Sequence, residues 1–462
     1  MEVDVSLTEQ NLVPIINVFL PIAKHKAITL FNQWVDEDTS PVFTHQGKYR
    51  SWGWTEWTRG FMYGIPLLLY ELTNDESLLD KVRDEIHKLD SYLTHHGVHD
   101  HGFNILSSYG HLWRMGLCEI FTPKEYELEQ YKLAIRVSSA VQASRWTKID
   151  DGTGFIHSFN GAHSLFVDTI RTCRILVLGW LLGHVLKTEG DENVSLLERA
   201  IQHIQNTLKY NIYYGKSRDI YDVPGRVAHE SIFNVKTGRF RCASTQQGYS
   251  PFSTWTRGLA WAMLGCAEQM EFFSNIPQYY WEKYDSNHTF LKSLEEACRV
   301  TADYYIEHTT IDGVPFWDTG APGLVYLGKY QQNPADPYND IEPLDSSSAV
   351  ISAQALLRLG NYLGKESAGS KYYQAGLTVT KTLLSGLFLS NDANHEGLLL
   401  HAVYHRPNGW DYIPPGKNIP CGEACMWGDY HLLELLLWIW QVAHGRQPWN
   451  FFANLKPEGL LN

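Results

Sequence analysis

No apolar run in the chain approaches the roughly 20 residues needed to span a bilayer. The strongest, Ile175–Leu182 and Leu435–Trp440, are far shorter. The opening MEVDVSLTEQ lacks a basic stretch followed by an apolar core, so no signal peptide is read there. There is no CxxC pair. The seven cysteines, Cys118, Cys173, Cys242, Cys266, Cys298, Cys421 and Cys425, are scattered and odd in number, which favours buried reduced thiols over a disulfide framework. These absences point to a soluble, cytoplasmic protein. Also missing are GxSxG, HExxH and the Walker and Rossmann glycine patterns, and with them the usual signatures of serine hydrolases, zincins and nucleotide-binding folds. Excess positive charge is lacking as well. A net charge of −13 weighs against a nucleic-acid partner, and any anionic ligand has to be met by a local group of Arg, Lys or helix N-termini. No linker rich in Pro, Ser or charge divides the chain, so 1–462 reads as a single domain.

What the chain has in plenty is aromatic residues, with 16 Trp, 26 Tyr and 19 Phe. Such numbers serve a large core and also the flat faces on which sugar rings stack. Apolar residues recur at three-and-four spacing over 12–34, 60–74, 78–94, 105–117, 126–144, 168–187, 194–209, 257–272, 291–308, 346–363, 371–387 and 429–442, which predicts helices. Strand-like alternation is short, as in Arg239–Ala243, and 313–345 reads as an ordered loop. The helices alternate in kind. One class, such as 78–94 and 194–209, is charged on one face and reads as an outer layer. The other is opened by compact signatures: Trp57-Thr-Arg-Gly-Phe61, His99-Asp-His-Gly-Phe103, Phe166-Val-Asp-Thr-Ile170, Trp255-Thr-Arg-Gly258, Asp345-Ser-Ser-Ser348 and Trp427-Gly-Asp-Tyr430. Six such openings suggest an all-α fold, six helical hairpins closing into an (α/α)6 toroid with the starting loops aimed at a common pocket. Periodicity alone also permits an open solenoid.

The most distinctive stretch is Thr245–Ala267. A Gly-, Ser- and Thr-rich loop there feeds a helix whose Gly258, Ala262 and Gly265 share one face, so that another backbone can approach. Two carboxylates stand out. Asp100 and Asp168 each precede a helix, where an Asp is often only an N-cap. Alternatively, they are an acid/base pair. A carboxyl against apolar walls and near a second carboxylate has its pKa raised, and Val167 and Ile170 make Asp168 the better candidate for that shift. The cluster His95, His96, His99 and His101 invites a metal reading, because His95 and His99 stand one helical turn apart. Without HExxH or CxxC, a pocket role for His99, in stacking or hydrogen bonding, or a plain structural histidine, reads better. Arg59, Arg171, Arg174 and Arg257 open the inner helices and serve either as internal ion pairs or, in one or two cases, as anchors for a substrate's acidic group. Trp57, Trp255 and Trp261 divide likewise between core packing and sugar stacking.

Taken together, these motifs resemble the unsaturated glucuronyl hydrolases, glycoside hydrolase family 88. The shared features run in order through nearly the whole chain: Trp57-Thr-Arg-Gly-Phe61, His99-Asp100 with Gly102-Phe103, Gly154-Phe-Ile156, and Asp168 at the head of an apolar helix. They continue with Gln247-Gly248, Ser253-Thr-Trp-Thr-Arg-Gly258, Ala260-Trp261, Trp317-Asp318, Asp345-Ser-Ser347 and Trp427-Gly-Asp-Tyr430. The resemblance implies a ring of six helical hairpins with the active site at one end. It implies a substrate left by polysaccharide lyases, an acidic oligosaccharide with a C4–C5 double bond in its terminal uronic acid. Asp168 would then be the acid/base that protonates C4 and assists water at C5. Asp100 would be the second essential carboxylate, and His99 and Trp57 match pocket residues; Gln246, Arg257 and Trp261 are expected to join them in binding substrate. No metal or cofactor is implied. Two positions depart from the family pattern: Gln246 stands where a His is usual, and Leu259 where a Gln is usual. They leave room for another acidic sugar, as in an unsaturated rhamnogalacturonyl hydrolase, a saturated glycosidase or a lyase, and for a non-catalytic sugar-binding homologue.

Overall fold

Nearly every stretch with three-and-four apolar spacing is a helix in the computed structural model, which describes residues 1–52, 56–285 and 288–452. In chain order these are α1 (Glu9–Trp34), α2 (Arg59–Thr73), α3 (Glu76–Glu85), α4 (His101–Asn104), α5 (His111–Leu117), α6 (Glu125–Ser144), α7 (Thr169–Thr172) and α8 (Arg174–Leu181). There follow α9 (Leu196–Tyr210), α10 (Thr256–Asn275), α11 (Phe290–His308), α12 (Ser346–Tyr362), α13 (Ser370–Leu383) and α14 (Met426–Ala443). Within the expected helices, local geometry departs from a plain α-helix at several points among the described residues. Residues 86–94 tighten into a 3-10 helix, and 106–110 widen into a π turn between α4 and α5. The helix expected over 168–187 breaks at Cys173 and ends at Leu181. Gly183 then turns the chain at φ +70°, and Leu186–Lys187 pairs with Asn193–Val194 as a short ribbon.

Burial sorts the helices into two layers. α2, α10, α12 and α14 are buried around almost their whole circumference, whereas α1, α3 and α9 bury one stripe, as all-round apolar and amphipathic sequences require. The inner helices contact one another in succession: α14 lies on α2 and α12, α12 on α10, α10 on α7, and α4 bridges α7 and α2. Outside them α3 backs α2, α9 backs α8, α11 backs α10 and α13 backs α12. Among the described helices, α1 alone has the length and apolar composition to cross a membrane. Here it packs against α2 and α14 through Leu12, Ile16, Phe19 and their helical repeats.

Two glycines set the spacing that the site depends on. A Cβ on Gly102 of α4 would lie 1.9 Å from the Thr172 carbonyl oxygen, so only glycine lets α4 rest directly on α7. On α10, a Cβ at Gly265 would lie 2.9 Å from the Arg171 backbone nitrogen, which is the close backbone approach expected of that face. Gly258, by contrast, faces the Trp255 ring.

Candidate active site

The openings of α2, α4, α7 and α10 converge on one cavity of about 310 Å³. Its walls carry Trp57, His99, Asp100, Phe103, Asp168, Gln246, Arg257 and Trp261, so every site residue expected from the sequence reaches it. Phe159, Phe166, Gln247, Trp255, Tyr404 and His405 line it too, with Gly97 and Val98.

Asp100 and Asp168 occupy the N-cap positions of α4 and α7, yet neither side chain caps its helix. Asp345 shows the contrast. It opens α12 and accepts the backbone N–H groups of Ser347 and Ser348, as an N-cap carboxylate does. The two site acids turn instead toward His99, whose Nε2 lies 3.7 Å from Asp100 Oδ1 and 3.5 Å from Asp168 Oδ2. His99 is 2% exposed, its ring set between Phe159 and Phe166. Its Nδ1 accepts the Phe159 N–H at 3.3 Å, so the neutral ring carries its proton on Nε2, facing the acids. His99, Asp100 and Asp168 offer ligand atoms within 4.8 Å of one another, but that tautomer presents Nε2 as a proton donor rather than as a metal ligand. The helical His95–His99 pairing is not formed: residues 95–100 are irregular, and His95 instead accepts His101 Nε2 on its carbonyl.

The electrostatics part the two acids in an order opposite to the one the sequence suggests. Burial pushes the Asp100 carboxyl up, and the charge of Asp168 adds to it against the pull of His99, to about 6. Burial acts on Asp168 too, but the contact and charge of His99 and the charge of His229 outweigh it and hold Asp168 below the ordinary carboxylate value. His99 itself, which burial would lower, is raised by Asp100 and Asp168. The apolar neighbours of Asp168 are present, as expected. Contact with His99 is what chiefly reverses the sign.

His229 is the residue that sequence reasoning missed. Strand Ser164–Phe166 pairs antiparallel with Glu230–Phe233, and the Val167 N–H donates to the His229 carbonyl at 2.9 Å. That register sets His229 beside Asp168, against the rings of Phe166 and Trp255. Its Nδ1 accepts the Gln246 N–H at 3.1 Å, which fixes the backbone of the loop carrying Gln246. Burial lowers its imidazole to about 4, so the ring is neutral at pH 7. Tyr404 and His405 were missed for a similar reason. They come from an irregular segment with no helix-start signature, and Asp411 holds them by accepting both of their backbone N–H groups.

Arg257 lines the cavity but is not available as a carboxylate anchor. Nη1 is taken by the Val403 carbonyl and Asp345, and Nη2 by the Tyr404 carbonyl at 2.7 Å and Gln247 Oε1 at 2.8 Å. The guanidinium lies between the Trp255 and Trp427 rings. Arg171 and Arg174 pair with Glu268, and Arg59 donates to the Val35 and Thr39 carbonyls. All four arginines are therefore committed to the frame. Trp57 stacks on Trp427 at 5.1 Å and Trp261 packs on Phe103 at 4.9 Å, so both are half wall and half core. Leu259 is buried in α10 and does not line the cavity. Of the two departures from the family pattern, only Gln246 touches the site.

No family model matches the chain. It is similar to an unsaturated glucuronyl hydrolase of Formosa agariphila, 27% identical over 82% of this chain and 79% of that one. An unsaturated chondroitin disaccharide hydrolase of Streptococcus pyogenes is 25% identical over 89% of this chain and 88% of its own. Among solved structures, the unsaturated glucuronyl hydrolase of Bacillus sp. GL1, described as responsible for the degradation of glycosaminoglycan, superposes with a TM-score of 0.68. It covers 96% of this chain and 99% of that one at 21% identity.

Proposed function

We propose that this protein is a hydrolase that removes a 4,5-unsaturated uronic acid from the non-reducing end of lyase-generated oligosaccharides. The observation that carries the reading is the pair Asp100 and Asp168, on the openings of adjoining helices, sharing His99 inside an aromatic cavity. Similarity to unsaturated glucuronyl and chondroitin disaccharide hydrolases over most of the chain supports it. The frame is read as six hairpins closed into a ring. The alternation of inner and outer helices, and the packing of α14 back onto α2, support that count.

In this reading Asp168 is the acid/base. The free site holds it ionised beside His99, whose Nε2–H faces it at 3.5 Å. An entering uronate brings a second negative charge and displaces water, and both effects raise the Asp168 carboxyl, so that it takes up a proton from solvent. Asp168 then protonates C4 of the vinyl ether, and water, its proton drawn off by the carboxylate, adds its oxygen at C5. The product is a hemiketal. It opens to a ketone at C5, and the resulting hemiacetal at C1 releases the neighbouring sugar, with one water consumed overall. Asp100 stays close enough to hold His99 in place throughout, and the Trp57 and Trp261 faces flank the ring.

Incubation with an unsaturated uronyl disaccharide is expected to bleach the ultraviolet absorbance of the conjugated double bond and add one water to the products by mass. Asp168→Asn, which keeps shape and removes the titrating proton, is expected to lower the rate at least about a thousand-fold while the circular dichroism spectrum is unchanged. Full activity in that variant would remove Asp168 from the role. Equal cleavage of saturated uronides would remove the substrate class.

A further inference from the structure

Beneath the cavity floor runs a buried polar chain that the proposed chemistry does not use. Arg171 follows Asp168 by three residues and is fully buried. Its Nη2 donates to Glu434 Oε2 at 3.0 Å, and its Nε lies 3.2 Å from Glu268 Oε2. Glu434 Oε1 accepts the Tyr430 hydroxyl at 2.6 Å, and Tyr430 in turn meets His111 Nε2 at 2.7 Å. His111 Nδ1 lies 3.0 Å from Arg114 Nη2, and Arg114 pairs with Glu71. The directions in this chain are forced. Arginine only donates, so His111 Nδ1 accepts and Nε2 carries the hydrogen. Nε2 must then donate to the Tyr430 oxygen, which leaves the Tyr430 hydroxyl to donate to Glu434. Residues of α2, α5, α7, α10 and α14 are thus tied into one network, in which Glu434 accepts from Tyr430 on one side and from Arg171 on the other.

A buried ion-pair network is poor evidence for stability, because desolvating the charges offsets most of their attraction. What this one holds is more telling. The Arg171 guanidinium carbon lies 5.7 Å from the ring centroid of Phe103 and 5.7 Å from that of Trp261, and both rings line the cavity. A cation fixed under two aromatic rings attracts both through their π faces and resists their tilting. Glu268 and Glu434 keep the cation itself from moving. We propose that Arg171 is a positioning residue: fixed by Glu268 and Glu434, it sets the Phe103 and Trp261 rings as the floor against which the bound sugar rests. The proposal adds to the reading of the site as a sugar hydrolase and rests on it for its activity measurements only.

The test is a double-mutant cycle between Arg171 and Trp261. Arg171→Lys keeps the charge but cannot bridge two carboxylates. It is expected to lower kcat/KM on the unsaturated disaccharide about ten-fold, mostly through KM, with the pH profile unmoved. In the Trp261→Leu background, which leaves only the Phe103 ring to hold, the same change is expected to cost clearly less, about three-fold. Equal losses in the two backgrounds would mean that Arg171 acts as general scaffold only, and would overturn the proposal. Should Arg171→Lys fail to fold, Glu434→Gln loosens the same cation and is carried through the same cycle. The near-ultraviolet circular dichroism of the purified proteins provides a readout independent of turnover. The change produced by Arg171→Lys should be smaller in the Trp261→Leu background, where only the Phe103 ring remains. A wild type inactive on unsaturated disaccharides would sink the hydrolase reading while the spectroscopic cycle still decides this one.

Discussion

At the scale of single residues, the site is a competition between burial and charge for three protons. His99 is raised because, although burial works against its charged form, Asp100 and Asp168 flank it. Removing one flank must therefore lower it. In Asp100→Asn the His99 ring, followed by NMR, is expected to titrate at a lower pH than in the wild type, with Asp168 still supporting it. An unmoved titration would mean that Asp100 is not electrostatically coupled to the ring. Arg257 presents the opposite case, a cavity residue whose work is structural. Lysine cannot replace its fork to Asp345, the two carbonyls and Gln247. Arg257→Lys is expected to destabilise the fold by roughly 2 kcal/mol in denaturant melts. A raised KM without loss of stability would restore it as a substrate anchor. The two acids were legible in the sequence because each opens an apolar helix in a distinctive turn. His229 was not, because its place beside Asp168 is set by the pairing of two strands 60-odd residues apart in the chain rather than by any local pattern.

At the scale of elements, the helices were the easy part and the loops the hard one. Three-and-four periodicity marked the helical stretches because an inner or outer helix must match its apolar residues to the faces it buries. It could not foresee the 3-10 stretch over 86–94 or the π turn over 106–110, which adjust the registers on either side of α4. Nor could it show how irregular segments are held over the cavity, because their hydrogen bonds go to distant side chains. The recurring device is a carboxylate, buried in Asp318 and Asp345 and half-buried in Asp411, that accepts loop N–H groups. Asp318 takes Tyr249 and Gly320, Asp345 takes Val403 as well as its own helix, and Asp411 takes Tyr404 and His405. Since Tyr404 and His405 line the cavity, Asp411 connects loop order to binding. Asp411→Asn retains one acceptor oxygen where two N–H groups need partners. It is expected to lower stability by about 1 to 3 kcal/mol in thermal or denaturant melts and to raise KM more than it lowers kcat. Unchanged KM would mean that the segment keeps its shape without the carboxylate.

At the scale of the whole molecule, burial has left many groups with the wrong charge for water, and their signs oppose one another. Burial is the leading cause in His101, His157, His203, His229, His401 and His405, all lowered from 6.5, His203 to about 3 and the others to about 4. For these rings the folded state is fully favoured above 6.5, and the advantage is lost as the pH falls from 6.5 through about 4, because unfolding then takes up protons. Burial also leads in Asp100, Asp318, Asp411 and Asp429, each raised from 3.8 to about 6. Their sign is reversed: their contribution is present below 3.8 and is lost as the pH rises through 6. Near pH 5, then, six histidines gain protons on unfolding while four carboxylates release them. His111 and His431, held well below 6.5 by burial and nearby arginines, add to the histidine side. Net proton uptake on unfolding makes stability fall with falling pH over this window. The melting temperature is therefore expected to drop between pH 6.5 and pH 5, and by less in His203→Gln, which removes one of the fully buried rings from the balance. A melting temperature that held or rose over that interval would mean that the carboxylates dominate. The same carboxylates include Asp100 in the site and Asp411 beneath its lining, so acidification would protonate Asp100 and the loop's anchor in the range where the fold itself weakens.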